Sequence, residues 1–360
     1  MASCPKELER NGPTKGMRFT REQAEKLFEN YLNKKLSWFE IGEGGLNNLI
    51  FFIQCQNDDE QYVLKICGSA WTKIKTESEV SAILIVHKYT KIPLPKIIAY
   101  SSDKTNEFGV EWIVMTRLKG RSLRSSSKTH DIWPELTIVE QKLVVDQLVE
   151  YASQLQNSIP RSKLIGNYKL NGEVGTNSEG MGPWNNYKDY YNDRLKQQIK
   201  ILNEDPLFTP VRDDIMKSIK EFQTFHLPDF SDVPNVFTHN DLGVQNIIES
   251  KDLNINGIID WELAGSYPIC EEYFRSYKPI IYNEQLTNYL YDQLEKKNVL
   301  TPRTIKHYSL LKKMSDLLQS VVPWYLTCLA NPEHPTVEKE LNQARDKVML
   351  LVQQIKQELQ

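Results

Sequence analysis

Residues 237–265, FTHNDLGVQNIIESKDLNINGIIDWELAG, hold two short apolar runs joined by a polar turn, with Asp241, Asn246 and Asp260 set around them. No other part of the chain limits the fold as much. The runs at 244–248 and 255–259 have strand character, and the Lys, Asp and Asn residues between them suit a turn. Paired as a hairpin, they bring Asn246 and Asp260 to one region, with Asp241 a short loop away. Two carboxylates and an amide oxygen suit Mg²⁺, a hard cation that takes oxygen ligands and keeps water or substrate phosphate in its shell. An Asp, an Asn five residues later and a strand-borne Asp is the pattern used to orient a hydroxyl and hold a nucleotide-bound metal. The plain alternative makes Asp241 and Asn246 turn caps and Asp260 a strand end, a reading that fits each residue singly better than it fits the set.

Upstream, WFEIGEGGLNNLIFFIQC places Gly42, Gly44 and Gly45 between strand-like residues, where a glycine turn can bring its N–H groups close to phosphates. It lacks the Gly-Lys-Ser/Thr ending of a P-loop and the wider glycine spacing of a kinase loop, so a simple hairpin turn is the other reading. The next strand, QYVLKIC, carries Lys65 among apolar residues. An ammonium there must reach solvent or an anion, because burying it unpaired is costly. The helix predicted over 74–89 offers Glu79, with Glu77 as the alternate, to orient Lys65. Pro93 and Pro95 then force an extended path, and VEWIVMTRLKG supplies a strand ending at Gly120. Backbone groups of Met115, Thr116 and Leu118 are positioned to meet an adenine edge, with Ile66 or Met115 against the ring.

The polar stretch 121–134 is a candidate lobe boundary, and a long amphipathic helix follows over 137–156. The glycine-dense 165–184 segment reads as an exposed loop, and most of what remains, apart from the organising stretch, has helical spacing. Strand signals therefore concentrate in the first half and helices in the second. Trp184 and Tyr190 are candidate acceptor contacts. Glu173, Glu262, Glu271 and Glu272 suggest an amino-bearing or cationic acceptor through charge attraction.

Lys plus Arg total 44 against 47 Asp plus Glu, a formal charge of −3 that gives no electrostatic case for nucleic acid or an anionic membrane as partner. The five cysteines, Cys4, Cys55, Cys67, Cys270 and Cys328, are scattered without disulfide or zinc spacing. The first 19 residues have no apolar signal region, and no run of about 18 apolar residues occurs. These features make the cytoplasm the expected compartment.

FTHNDLGVQNII and GIIDWELAG, supported by IPLPKI and GMGPW, resemble the aminoglycoside phosphotransferase-like family within the choline kinase and protein-kinase-like superfamily. The resemblance spans roughly 38–277 and implies an α+β, bilobal protein-kinase-like fold, with a strand-rich N-terminal lobe and a mainly helical C-terminal lobe. The expected division is a flexible lead-in at 1–18, a nucleotide-binding lobe with hinge at 19–120, and a catalytic and acceptor-binding lobe at 121–360. By the same resemblance Asp241 is the catalytic aspartate, Asn246 and Asp260 bind Mg²⁺, Lys65 binds phosphate and Glu79 is its partner, while His239 supports the loop. Asn240 stands where glycine is common, and Gly243 where His or Cys is frequent. The implied reaction is phosphoryl transfer from ATP, with GTP as the alternative nucleotide, to a hydroxyl of a small molecule. Competing readings are a kinase of a neutral alcohol, sugar or nucleoside-like metabolite, and a noncatalytic nucleotide-binding or interaction protein. Oligomeric state is not legible in the sequence.

Overall fold

The computed structural model describes residues 11–42, 45, 47–71, 73–124 and 131–360. They form two compact units, one of Pro13–Pro183 with Asn235–Thr301, the other of Trp184–Pro234 and Pro302–Gln360 with residues 11 and 12. The lobe boundary expected at 120/121 falls inside the first unit. Residues 1–10 of the expected lead-in lie outside the described residues, whereas the Pro13 carbonyl accepts the Ser69 N–H at 3.1 Å.

Helix α1 (Arg21–Leu32) begins with a capping box in which Thr20 and Gln23 satisfy each other's backbone N–H groups. Strands β1 (Leu36–Ile41), β2 (Asn48–Cys55) and β3 (Gln61–Cys67) follow, then helix α2 (Ile74–Tyr89) and strands β4 (Ile97–Ser101) and β5 (Trp112–Thr116). They build an antiparallel sheet in the order β1-β2-β3-β5-β4. Alternation along β3 sends Leu64 and Ile66 into the core with Leu27 and Phe28 of α1, and leaves Val63 and Lys65 on the opposite face. Ile66 therefore packs in the core and does not flank a nucleotide ring, which corrects one of the two options for that contact.

The short β6 (Arg121–Ser122) and helix α3 (Ile138–Asn157), opened by a Thr137/Glu140 capping box, continue the first unit. Helices α4 (Tyr187–Glu204) and α5 (Arg212–Phe222) belong to the second. The chain returns to the first with β7 (Asn235–Thr238), β8 (Ile247–Glu249), β9 (Ile255–Ile258), β10 (Gly265–Pro268), α6 (Ile269–Arg275) and α7 (Glu284–Lys296). Helices α8 (Tyr308–Val321), α9 (Trp324–Thr327) and α10 (Thr336–Leu359) complete the second unit, where α10 packs on α8 and α5. Strands β6-β8-β9 form one small sheet and β10-β7 another.

Two local expectations are corrected. The run at 244–248 is not strand throughout: Val244–Asn246 is a 3-10 turn, closed by the Asn246 N–H on the Gly243 carbonyl at 2.9 Å, and β8 starts only at Ile247. The glycine-dense 165–184 segment is not an open excursion either. Gly166 and Ser266 exchange backbone hydrogen bonds at 2.9 Å, and Ile165, Asn167, Tyr168 and Val174 are buried. Gly166 has φ +151, and a Cβ there would lie 2.0 Å from the Gly175 carbonyl oxygen, so close backbone approach explains that glycine. Among the described residues no helix is long and apolar enough to cross a membrane.

Candidate functional site

Strand β7 ends at Thr238 and delivers His239, Asn240 and Asp241 into a loop held from behind by α6. Glu272 accepts the main-chain N–H of His239 at 2.6 Å and of Asn240 at 3.3 Å. Its other oxygen takes the Ser276 hydroxyl, which accepts the Leu242 N–H at 2.8 Å. Asn240 has φ +63, a left-handed conformation that Asn tolerates better than most side chains, and its amide donates to the Leu263 carbonyl at 3.0 Å. The loop's shape is thus fixed by polar groups that are themselves buried.

His239 is fully buried, with Nε2 3.1 Å from the Ile259 carbonyl and Nδ1 accepting the Asp241 N–H at 3.2 Å. Burial lowers its pKa to about 4. A neutral ring with both nitrogens engaged ties the 239–241 loop to the end of the β9 segment.

Asp241 Oδ2 accepts Asn246 Nδ2 at 3.0 Å, and Oδ1 accepts Gln245 Nε2 at 3.3 Å. Burial, then the neighbouring Asp260 charge, pushes its carboxyl up to about 6. Asn246 also donates to the Asp241 carbonyl at 2.8 Å, so its amide nitrogen is engaged and the side-chain oxygen is the atom left to act as a ligand. Asp260 follows β9 with φ +65, a backbone state that Asp adopts more readily than most residues.

Lys65 Nζ binds both oxygens of Glu79 at 2.7 and 2.9 Å, Asp260 at 3.1 Å and Glu262 at 3.4 Å. Burial disfavours its ammonium, but Glu79, Asp260 and Glu262 outweigh that and hold the pKa well above the ordinary value. Burial pushes Glu79 up and, with the charge of Glu262, raises Asp260. Glu262 is also pressed upward by burial, yet Lys65 and Lys75 prevail and lower it to about 2. Glu77, the alternate partner, instead accepts the Ser102 hydroxyl at 2.8 Å.

These side chains face a cavity of about 1020 Å³ lined by Lys65, Glu79, Asp241, Asn246 and Asp260, and by Gly45, Met115, Thr116 and Leu118. Val63, Pro95, Ile248 and Ile259 add apolar surface suited to a flat ring. Thr116 and Arg117 give their N–H groups to the carbonyls of Lys96 and Gln61 at 2.9 and 2.8 Å. Among the described residues no acceptor pairs with the Leu118 N–H. Gly42 gives its N–H to the Ile50 carbonyl at 2.8 Å, and Gly44 lies outside the described residues.

Asp241, Asn246 and Asp260 supply oxygen donors, and three carboxylates crowd one ammonium beside them. The donor set fits a hard divalent cation that completes its shell with phosphate and water. Among the described residues no group of three or more His, Cys, Asp or Glu side chains could hold a metal ion.

The remaining candidates have internal partners. Glu262 accepts the side-chain amides of Asn47 and Asn48 at 2.7 and 2.9 Å. Glu271 is 2% exposed, 3.9 Å from Arg275, and Glu272 carries the 239–242 loop. Glu173 is exposed, 3.7 Å from Lys169. Trp184 and Tyr190 lie in the second unit, where Trp184 donates to Asp193 at 2.9 Å and packs edge-on against Tyr190. Sequence reasoning missed Gln245, Lys75 and the Asn47-Asn48 pair. The two Asn residues directly after the glycine turn were a visible signal, but Lys75, in the first turn of a helix, resembles any surface lysine.

The class is the bilobal α+β protein-kinase-like fold, with a strand-rich N-terminal region and a mainly helical C-terminal region. Residues 39–305 match the model of the phosphotransferase enzyme family, and the chain belongs to that family. A subtelomeric hrmA-associated cluster protein of Aspergillus fumigatus is 32% identical over 114 residues, covering 31% of this chain and 21% of that protein. The match thus spans about a fifth of the curated relative's length. Among solved structures, a thermostable mutant of aminoglycoside phosphotransferase APH(4)-Ia has a TM-score of 0.55 at 15% identity, covering 92% of this chain and 98% of the other. Macrolide 2'-phosphotransferase type I gives 0.56 at 13% identity, covering 92% and 98%. The macrolide 2'-phosphotransferase MphH of Brachybacterium faecium gives 0.56 at 11%, covering 90% and 98%. At these identities the structures speak for the fold.

Proposed function

We propose that this protein transfers the γ-phosphoryl group of ATP to a hydroxyl of a small molecule. The observation that carries this reading is the convergence of Lys65, Asp241, Asn246 and Asp260 on one cavity with an apolar, ring-sized flank. Asp241 orients the acceptor hydroxyl and takes its proton on a carboxylate oxygen. Lys65 donates to phosphate oxygens while Glu79 fixes the direction of its ammonium. Asn246 and Asp260 would hold Mg²⁺, which when bound would neutralise charge on the phosphates. The Leu118 N–H addresses the edge of the base, and GTP is the competing nucleotide. Alignment and charge stabilisation carry most of the acceleration, because a loose phosphoryl transition state asks little of the base.

Glu262, Glu271 and Glu272 are engaged internally, so a cationic acceptor draws no support from them, and the acceptor is kept at the level of a small hydroxyl compound. The described cysteines Cys55, Cys67, Cys270 and Cys328 are free thiols, which suits action in the reducing cytoplasm.

Incubating the purified protein with Mg²⁺, ATP and a metabolite library tests the reading through a mass gain of one phosphoryl group. Asp241→Asn should lower turnover on any hit by on the order of 10³-fold while leaving nucleotide affinity within about twofold. Wild-type turnover in that variant would overturn the role of Asp241. Absence of ATP binding by the wild-type chain would overturn the function.

A further inference from the structure

The turn between β1 and β2 is fixed on its descending side by groups that the proposed chemistry leaves unexplained. Asn47 Nδ2 donates to Glu262 Oε1 at 2.7 Å, and Asn48 Nδ2 donates to Glu262 Oε2 at 2.9 Å. Lys75 Nζ reaches the Asn48 side-chain oxygen at 3.0 Å, the Asn47 carbonyl at 3.3 Å and Glu262 at 4.0 Å. The same Asn47 carbonyl accepts the Gly68 N–H at 2.9 Å. Lys75 is 0%, Glu262 3% and Asn48 5% exposed, so this is a buried polar cluster, and such clusters specify geometry at a cost in desolvation.

We propose that Asn47, Asn48 and Lys75 form, with Glu262, a latch that holds the start of β2 against the segment following Asp260, and so sets how far Glu262 competes for the Lys65 ammonium that faces the nucleotide phosphates. The inference rests on the nucleotide reading above and adds positioning residues to it. Asn47 and Glu262 are 215 residues apart in sequence, so the latch joins the start of β2 directly to the segment that carries Asp260.

The latch also sets how Lys65 is shared. Glu262 stands 3.4 Å from Lys65, whereas Glu79 stands at 2.7 Å. With Asn47, Asn48 and Lys75 drawing on the same carboxylate, Glu262 is a weaker competitor for the Lys65 ammonium. Glu79 stays its nearest partner, and Lys65 remains on the cavity wall. Removing an arm of the latch lets Glu262 bind Lys65 more tightly. That weakens the Lys65 contact to phosphate and does not touch the base-binding end.

Calorimetric titration of the full chain with adenosine, and separately with Mg²⁺ and a non-hydrolysable ATP analogue, tests this. Asn47→Ala should lower the thermal midpoint slightly, because a part-buried hydrogen bond to Glu262 is lost, and leave adenosine affinity near wild type while weakening the Mg²⁺–nucleotide complex about tenfold. Asn47→Asp, which sets a second carboxylate against Glu262, should weaken it further. Unchanged affinity of both variants for the Mg²⁺–nucleotide complex overturns the latch, as does an equal loss for adenosine and nucleotide, which marks a merely structural role. If the wild-type chain binds neither ligand, the nucleotide reading itself falls and the latch with it.

Discussion

Glu272 Oε2 receives the main-chain N–H of His239 at 2.6 Å, which makes helix α6 the mount of the loop that carries Asp241. The bond is buried, with Glu272 3% and His239 0% exposed, so water cannot replace it. Glu272→Ala leaves the N–H groups of His239 and Asn240 and the Ser276 hydroxyl without their acceptor. Loss of stability of about 3 kcal/mol is expected by urea denaturation, from several buried donors left unpaired. A variant as stable as wild type would show that α6 does not hold the loop.

Asp260→Asn keeps the size of the side chain and its left-handed backbone, which Asn also tolerates, but removes the charge. Affinity for the Mg²⁺–nucleotide complex should fall on the order of 10–100-fold, with adenosine affinity unchanged. Equal Mg²⁺ dependence in variant and wild type, read by calorimetry, would reject a metal role for Asp260.

The His239 imidazole gives a pH signature. Its folded-state pKa is lowered from 6.5 to about 4 by burial, so between those values the unfolded chain binds more protons than the folded one. The stabilisation from keeping this ring neutral is full above pH 6.5 and is lost as pH falls toward 4. The expected loss is about 3 kcal/mol at pH 4. Raised carboxyl groups such as Asp241 act in the opposite sense, so the measurement is a difference: wild type should lose more stability than His239→Gln between pH 7 and 4. Parallel pH profiles would contradict the buried neutral ring.

Gly120, just before β6, has φ +128, and a Cβ there would lie 2.2 Å from the Glu249 carbonyl oxygen. A backbone atom cannot swing aside as a side-chain tip can. Gly120→Ala should therefore cost roughly 2–4 kcal/mol, measured by thermal or denaturant unfolding, and should weaken nucleotide binding through the displaced Leu118. A wild-type midpoint would mean that the β6–β8 pairing yields without penalty.

Much of the arrangement of the candidate site was legible because its residues stand in short, patterned segments. Asp241 and Asn246 sit within a few residues, Asp260 lies just beyond a strand that pairs with the neighbouring one, and Lys65 interrupts an apolar run. Of the two glutamates two residues apart, helix α2 directs Glu79 to Lys65 while Glu77 turns to Ser102. Less legible was the burial of glutamates. Glu262, Glu271 and Glu272 read as acceptor-facing charges because a carboxylate in sequence carries no sign of the partners it will find.

The sequence by itself determined the alternation that puts Lys65 opposite the core, the capping boxes that start α1 and α3, and the residue types that converge on the cavity, all consequences of local geometry and period. Only the tertiary structure decided that α6 supports the 239–242 loop, that Asn47 and Asn48 close onto Glu262 from more than 200 residues away, and that Gly166 lies against a buried backbone. Those contacts depend on which distant segments exclude water together. That cooperative property leaves no periodic trace along the chain.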